Sequence, residues 1–262
     1  MTILIHELKR NRISFLIWTI SIAFMLFICM IMYPEMKTSM NSVTDMFANM
    51  GGFTEAFGMD QVNFGEVMGF YAIECGNILG IGGGFFAALL GIGILSKEEK
   101  ERTAEFLLTH PIRRSSVIFQ KLLAVLLQLL IMNLVLTAAS AASFALIGET
   151  LAMKEFLLLH TAYLVLQLEI ACICFGISAF IRQSGLGVGL GLAAILYFAN
   201  IIGNINSSGE FIKYITPFAY AEASDIISSA SIEMPLMLLG CLYGIAGIVA
   251  AFIKYMRKDI AA

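Results

Sequence analysis

Long hydrophobic runs alternate with short polar stretches along the whole chain, and this alternation predicts membrane-spanning helices. Ile13 to Tyr33 carries no charge. As a helix it reaches about 30 Å, the thickness of a bilayer's hydrocarbon core. Further runs fall at 70–95, 117–147, 156–181, 185–203 and 235–256, so the pattern predicts an all-α polytopic membrane protein, one domain over 1–262 with six transmembrane helices. Pro34, which lacks an N–H, is expected to end the first span. Ahead of that span, Lys9, Arg10 and Arg12 stand beside Ile3, Ile5 and Leu8, the pattern of an amphipathic N-terminal interfacial helix.

The polar stretches predict loops of different kinds. In the outer loop 34–69, Met36, Met40, Val43, Phe47 and Met50 recur at helical spacing, a stripe that predicts packing on the bundle or the lipid interface. In the outer loop 204–233, Thr216 followed by Pro217 predicts a helix over 217–229. Gly76, Gly80 and Gly84 fall four apart in the second span and predict the close approach of another helix.

The largest interruption in the apolar pattern is Lys97 to Ser116, KEEKERTAEFLLTHPIRRSS. Ser96 with Glu99 three residues on is a capping-box pattern, and the acids at 98 and 101 suit the positive end of a helix dipole. A helix is predicted from about Lys97 to near Thr109, where Pro111 stops it. Ala104, Leu107, Leu108 and Pro111 give this charged rod an apolar stripe, which fits a groove on a protein partner.

Composition sharpens the picture. The chain is 59% hydrophobic, whereas a soluble domain runs at roughly 45–50%, and the surplus must face lipid or other spans. A net charge of −3 argues against nucleic acid as a partner. The five cysteines, Cys29, Cys75, Cys172, Cys174 and Cys241, lie in apolar runs without a Cys-x-x-Cys pair and read as small hydrophobes. The first run is span-length and lacks a small-residue cleavage site, so it is expected to stay in the mature protein.

Charge also orients the layout. Three basic residues near the N-terminus, six from Lys97 through Lys121, Arg182 and three at the C-terminus share one side; Lys37, Lys154 and Lys213 take the other, which accounts for all 16. The positive-inside rule then puts both termini and the 97–116 segment in the cytoplasm.

The segment resembles the cytoplasmic signature of ABC-2 type transporter permeases. Glu99, Glu101, Arg102, Thr103, Glu105, Leu107, Leu108, Pro111, Ile112 and Arg114 carry the likeness; Arg102 stands where the family usually has Gly, and Arg113 where it usually has Ser or Thr. The N-terminal stretch His6 to Trp18 also resembles the first amphipathic segment of such permeases. The resemblance implies the membrane subunit of a bacterial ABC exporter in the cytoplasmic membrane, paired with a second permease copy or a homologue. ATP and Mg are then bound by separate ATPase subunits, and no cofactor belongs to this chain. It further implies a cytoplasmic coupling helix at which the ATPase docks, on Glu98, Glu99, Glu101, Arg102, Thr103, Glu105, Leu107, Leu108, Pro111, Arg113 and Arg114. Small antibiotics, peptides and lipid-like molecules all fit such a carrier.

The residues themselves exclude several chemistries. No Gly-Lys pair exists from which to build a phosphate-binding P-loop, and the GNILGIGGG run of the second span has Phe85 at the third glycine position of a dinucleotide fingerprint. His6, His110 and His160 are scattered, and no nucleophile elbow is present. What remains are polar groups inside spans. An ionised carboxylate at the bilayer centre costs roughly 2.5–3.5 kcal/mol, so Glu169 must face protein or water. Glu169, Gln167, Glu74, Asn77 and Asn133 are the candidates for a transport path, with Gln128 and Asn200 behind them, and packing roles are open for each. Two rival functions also stay open. One is a proton-coupled secondary transporter using Glu169 and Glu74; the other is an intramembrane enzyme using His160 and Glu169, which stand about 13 Å apart on one helix.

Overall fold

One buried stripe organises the first helix. Ile3, Leu4, Glu7, Thr19, Ile22, Leu26, Met30 and Tyr33 recur on one face of α1, Thr2–Thr38, and this face packs along the helix Arg114–Ile147. In this computed structural model, which describes residues 2–38, 51–59, 61–97, 113–181, 185–205 and 207–257, α1 is a single unbroken helix. The interfacial element expected at 1–12 is thus the first turns of the spanning helix. The reason lies in the stripe, which keeps its register through Arg10, Asn11 and Arg12 with no Gly or Pro to break it. Pro34 does not stop the helix either. It lies just before the last turn, where Thr38 Oγ1 donates to Glu35 O at 2.7 Å and Lys37 Nζ pairs with Glu149 at 2.7 Å.

Among the described residues six helices are long and apolar enough to cross a membrane: α1, α3 (Val67–Gly93), α4 (Arg114–Ile147), α5 (Met153–Ser178), α6 (Leu186–Ile205) and α8 (Met234–Arg257). Short helices α2 (Gly52–Ala56) and α7 (Ala223–Ser229) and a 3-10 stretch, Ser207–Tyr214, lie in the connections. Among the described residues there is no strand. The protein is an all-α polytopic membrane protein.

The chain runs up and down between two ends. Thr2, Lys97, Arg114, Ile181, Leu186 and Arg257 lie at the end that holds the termini, where Leu4 N–H meets Gln120 and Lys254 Nζ sits 5.5 Å over the Phe180 ring. At the opposite end Tyr33 OH donates to Gly65 O at 2.9 Å, and Asn204 reaches Ala56 O. Gly148 closes α4 there with φ 72°, and Glu149 N–H returns to Phe144 O.

The core belongs to α3 and α5. They pack most extensively on each other, α4 on α1, and α8 on α5. The outer faces of α1, α6 and α8 stay apolar and exposed, with Ile17, Ile20 and Phe24, then Ile195 and Phe198, then Leu238 and Leu242. Lipid is the solvent that such faces need.

α3 carries two π-helical stretches, Tyr71–Cys75 and Ile78–Gly82. Its glycines admit the neighbours predicted for them. A Cβ on Gly80 would lie 3.2 Å from Tyr163 and 3.4 Å from Phe218, and one on Gly84 would lie 3.4 Å from Ile170.

Residues 217–222 form turns, and α7 begins only at Ala223. The helix expected from Thr216 is replaced by turns tied to α6. The Thr216 hydroxyl donates to Leu196 O at 2.8 Å and accepts the Phe218 N–H, bending the chain inward. The cysteines are free; Cys75, Cys172 and Cys174 are buried as expected, whereas Cys241 is exposed on α8. Of the methionine stripe, Met40, Val43, Phe47 and Met50 lie outside the described residues.

Candidate functional site

The docking residues Glu98, Glu99, Glu101, Arg102, Thr103, Glu105, Leu107, Leu108 and Pro111 lie outside the described residues, as does Arg182. The structure describes the two roots of that segment. Lys97 follows α3, and Arg113, in extended conformation, precedes α4, whose first residue is Arg114.

Both roots meet α1 at a buried carboxylate. Glu7, 1% exposed, puts Oε1 3.3 Å from Lys121 Nζ and Oε2 3.5 Å from Lys97 Nζ. Lys121, fully buried on the second turn of α4, also donates to Ile94 O at 2.6 Å, near the end of the second span. Lys97 donates to Asn11 Oδ1 at 3.1 Å, one helical turn beyond Glu7. Burial pushes the Lys97 ammonium below the ordinary lysine value, against the raising pull of Glu7. Beside this cluster a cleft of about 400 Å³ opens among Asn11, Ser14, Phe86, Leu90, Ser96 and Lys97. Sequence reading missed Glu7. The available signal was an acid in the register of the apolar stripe Ile3, Leu4, Glu7, where a charge requires a partner.

The polar residues within the spans form separate groups. Asn133 Nδ2 donates to Gln167 Oε1 at 2.7 Å, and Gln167 Nε2 donates to Leu79 O in the second π-helical stretch. Gln167 is fully buried and occupies the space that a side chain on Gly83 would take. The chain of bonds continues outward. Thr137 Oγ1 donates its proton to Asn133 O, so it accepts from His160 Nδ1 at 3.0 Å, which leaves Nε2 to accept from Tyr71 OH at 2.8 Å. Tyr71, Thr137, Asn133, His160 and Gln167 thereby tie α3, α4 and α5 together.

Glu169 takes another partner. Tyr220 OH, from the 217–222 turns, donates to Glu169 Oε2 at 2.9 Å, and the carboxylate lies where a side chain on Gly240 would be. Asn77 accepts from Tyr197 OH at 3.0 Å. Asn200 and Asn204 both donate to Glu222 Oε2, at 2.8 and 3.0 Å. A cavity of about 30 Å³, the size of one water, lies among Asn77, Tyr163, Tyr197, Asn200, Phe218 and Glu222. Burial raises the Glu222 carboxyl above the ordinary carboxylate value, and the two asparagine bonds oppose that rise.

The five candidate path residues are therefore not one constellation. Asn133 and Gln167 touch, Asn77 and Glu169 answer to different tyrosines, and Glu74 is half-buried on α3. His160 and Glu169, paired in the enzyme alternative, belong to different groups. Tyr220 and Glu222 were not singled out from sequence, because their partners come from other helices. Among the described residues no group of three His, Cys, Asp or Glu side chains can hold a metal ion.

Comparison with known proteins adds two findings. The family model described as ABC-2 family transporter protein matches residues 1–260. An uncharacterized protein of Bacillus subtilis (strain 168), YhcI, is 27% identical over 204 residues, which are 68% of this chain and 64% of that relative. The match thus spans slightly less than two thirds of the relative's length.

Proposed function

This chain belongs to the ABC-2 family of transporter proteins, and from that premise we propose that it is the permease subunit of an exporter driven by a separate ATPase. Membership makes it a membrane component of an ABC transporter. The family match over residues 1–260, on a chain without the Gly-Lys pair a P-loop needs, is the observation that carries it. The motor must then be another polypeptide. The segment 98–112, rich in charge between two apolar helices, is the surface offered to it. Basic residues crowd the end that holds the termini, which argues for a cytoplasmic location of that end in a bacterial cell membrane. Two permease copies, or this chain and a homologue, form the translocating pair. The cargo is an antibiotic, a peptide or a lipid-like molecule.

The test is co-purification with the ATPase from membranes. Glu101→Lys and Glu105→Lys are expected to abolish capture of the ATPase while membrane insertion is kept. Wild-type capture by both variants would place docking elsewhere. Transport that survives ATP depletion and collapses with the proton gradient would favour the secondary-transporter alternative.

A further inference from the structure

We infer that Glu7 is the joint through which movement of the 98–112 segment reaches the first span. This rests on the reading that a separate ATPase presses on that segment. Lys97 precedes the segment, Lys121 follows it, and each holds one oxygen of the same carboxylate, at 3.5 and 3.3 Å. Both roots of the segment are therefore fastened to one point on α1.

The chemistry of the joint makes it stiff. Glu7 and Lys121 are buried, and in a low-dielectric site a separated charge is left without water. When the roots move, the lower-cost course is for Glu7 to follow them. Additional bonds hold each part: Lys121 to Ile94 O at 2.6 Å, Lys97 to Asn11 at 3.1 Å, and Leu4 N–H to Gln120 at 3.4 Å. A buried ion cluster adds little stability over a packed apolar one, so its use here is the connection it makes.

α1 is a continuous rod, and what happens at Glu7 is carried along it. Trp18 lies eleven residues on, roughly 16 Å along the axis. Its ring packs on Phe86 of α3 with centroids 5.9 Å apart, and it is the chain's single tryptophan. It therefore reports displacement of α1 against α3.

The experiment uses the permease purified with its ATPase, with ATP plus orthovanadate as the probe. The Trp18 emission is isolated by subtracting a Trp18→Phe complex. The wild type is expected to change emission on trapping. Glu7→Gln should reduce that change by about fivefold or more, while the captured ATPase and its hydrolysis rate stay as in wild type. Glu7→Asp, which keeps the charge, should restore part of it. A purely structural Glu7 would lower the melting temperature and leave the emission change intact. Should Glu7→Gln fail to insert, Lys97→Met removes one arm and is read in the same way. An undiminished emission change in the folded variant overturns the inference, as does a silent Trp18 in a wild-type complex that hydrolyses ATP. Absence of any captured ATPase in the wild type overturns the ATPase reading itself, and the joint with it.

Discussion

Gly176 of α5 and Gly247 of α8 meet backbone to backbone. A Cβ on Gly176 would lie 2.7 Å from Gly247 O and 2.9 Å from its Cα, distances that no rotamer change relieves. The two helices cross here without side chains between them, which brings α8 onto the central helix. Gly176→Ala is therefore expected to cost about 1–3 kcal/mol, seen as a lower melting temperature in detergent. Gly187→Ala on α6, where nothing lies within 4 Å, is the matched control and should melt as wild type.

Tyr220 is one anchor of the 217–222 turns, beside Glu222, which accepts from Asn200 and Asn204. Tyr220→Phe removes the donor to Glu169 and leaves that carboxylate buried, an expected loss of about 1–3 kcal/mol. Glu169→Gln keeps an acceptor for Tyr220 and should cost less. If Tyr220→Phe melts as wild type, the turns are anchored by Thr216 and by the asparagine bonds to Glu222 instead.

Asn133 and Gln167 offer a double-mutant cycle. Each change to Leu leaves one buried amide without its 2.7 Å partner, about 1–3 kcal/mol apiece. In the double variant neither is left facing a lost partner, so the combined loss should fall short of the two added together. Strict additivity would show that the two amides do not act as a pair.

Glu222 predicts a pH dependence of definite sign. Its folded carboxyl titrates above the ordinary value of 4.5, so between that value and the folded one the folded protein keeps a proton that the unfolded chain has released. Stability from this group is complete below that value and is lost as pH rises through the folded one. Melting temperatures measured from pH 4.5 upward should fall more steeply in wild type than in Glu222→Gln. Equal slopes would mean that the carboxyl is ionised and well solvated in the fold.

The sequence by itself determined the number of the spans, because a bilayer demands about twenty apolar residues of any helix that crosses it. It also ruled out a nucleotide loop within this chain. The glycine spacing of the second span was legible for the same reason, since only a missing Cβ admits Tyr163 and Phe218 so closely.

Tertiary structure alone decided where the polar groups go. Glu7 looked like one acid in a basic stretch; its meaning depends on Lys97 and Lys121, which folding brings to it from far along the chain. Pro34 was expected to end a helix, yet the helix runs one turn further, to a Lys37 that pairs with Glu149 of a distant turn. Thr216 had the look of a helix cap and does accept the Phe218 N–H, yet it also donates to Leu196 O and the chain turns there instead of coiling. A buried polar atom must find a partner, and local pattern says only that one is needed. Which residue supplies it is settled by helices distant in sequence that become neighbours once packed.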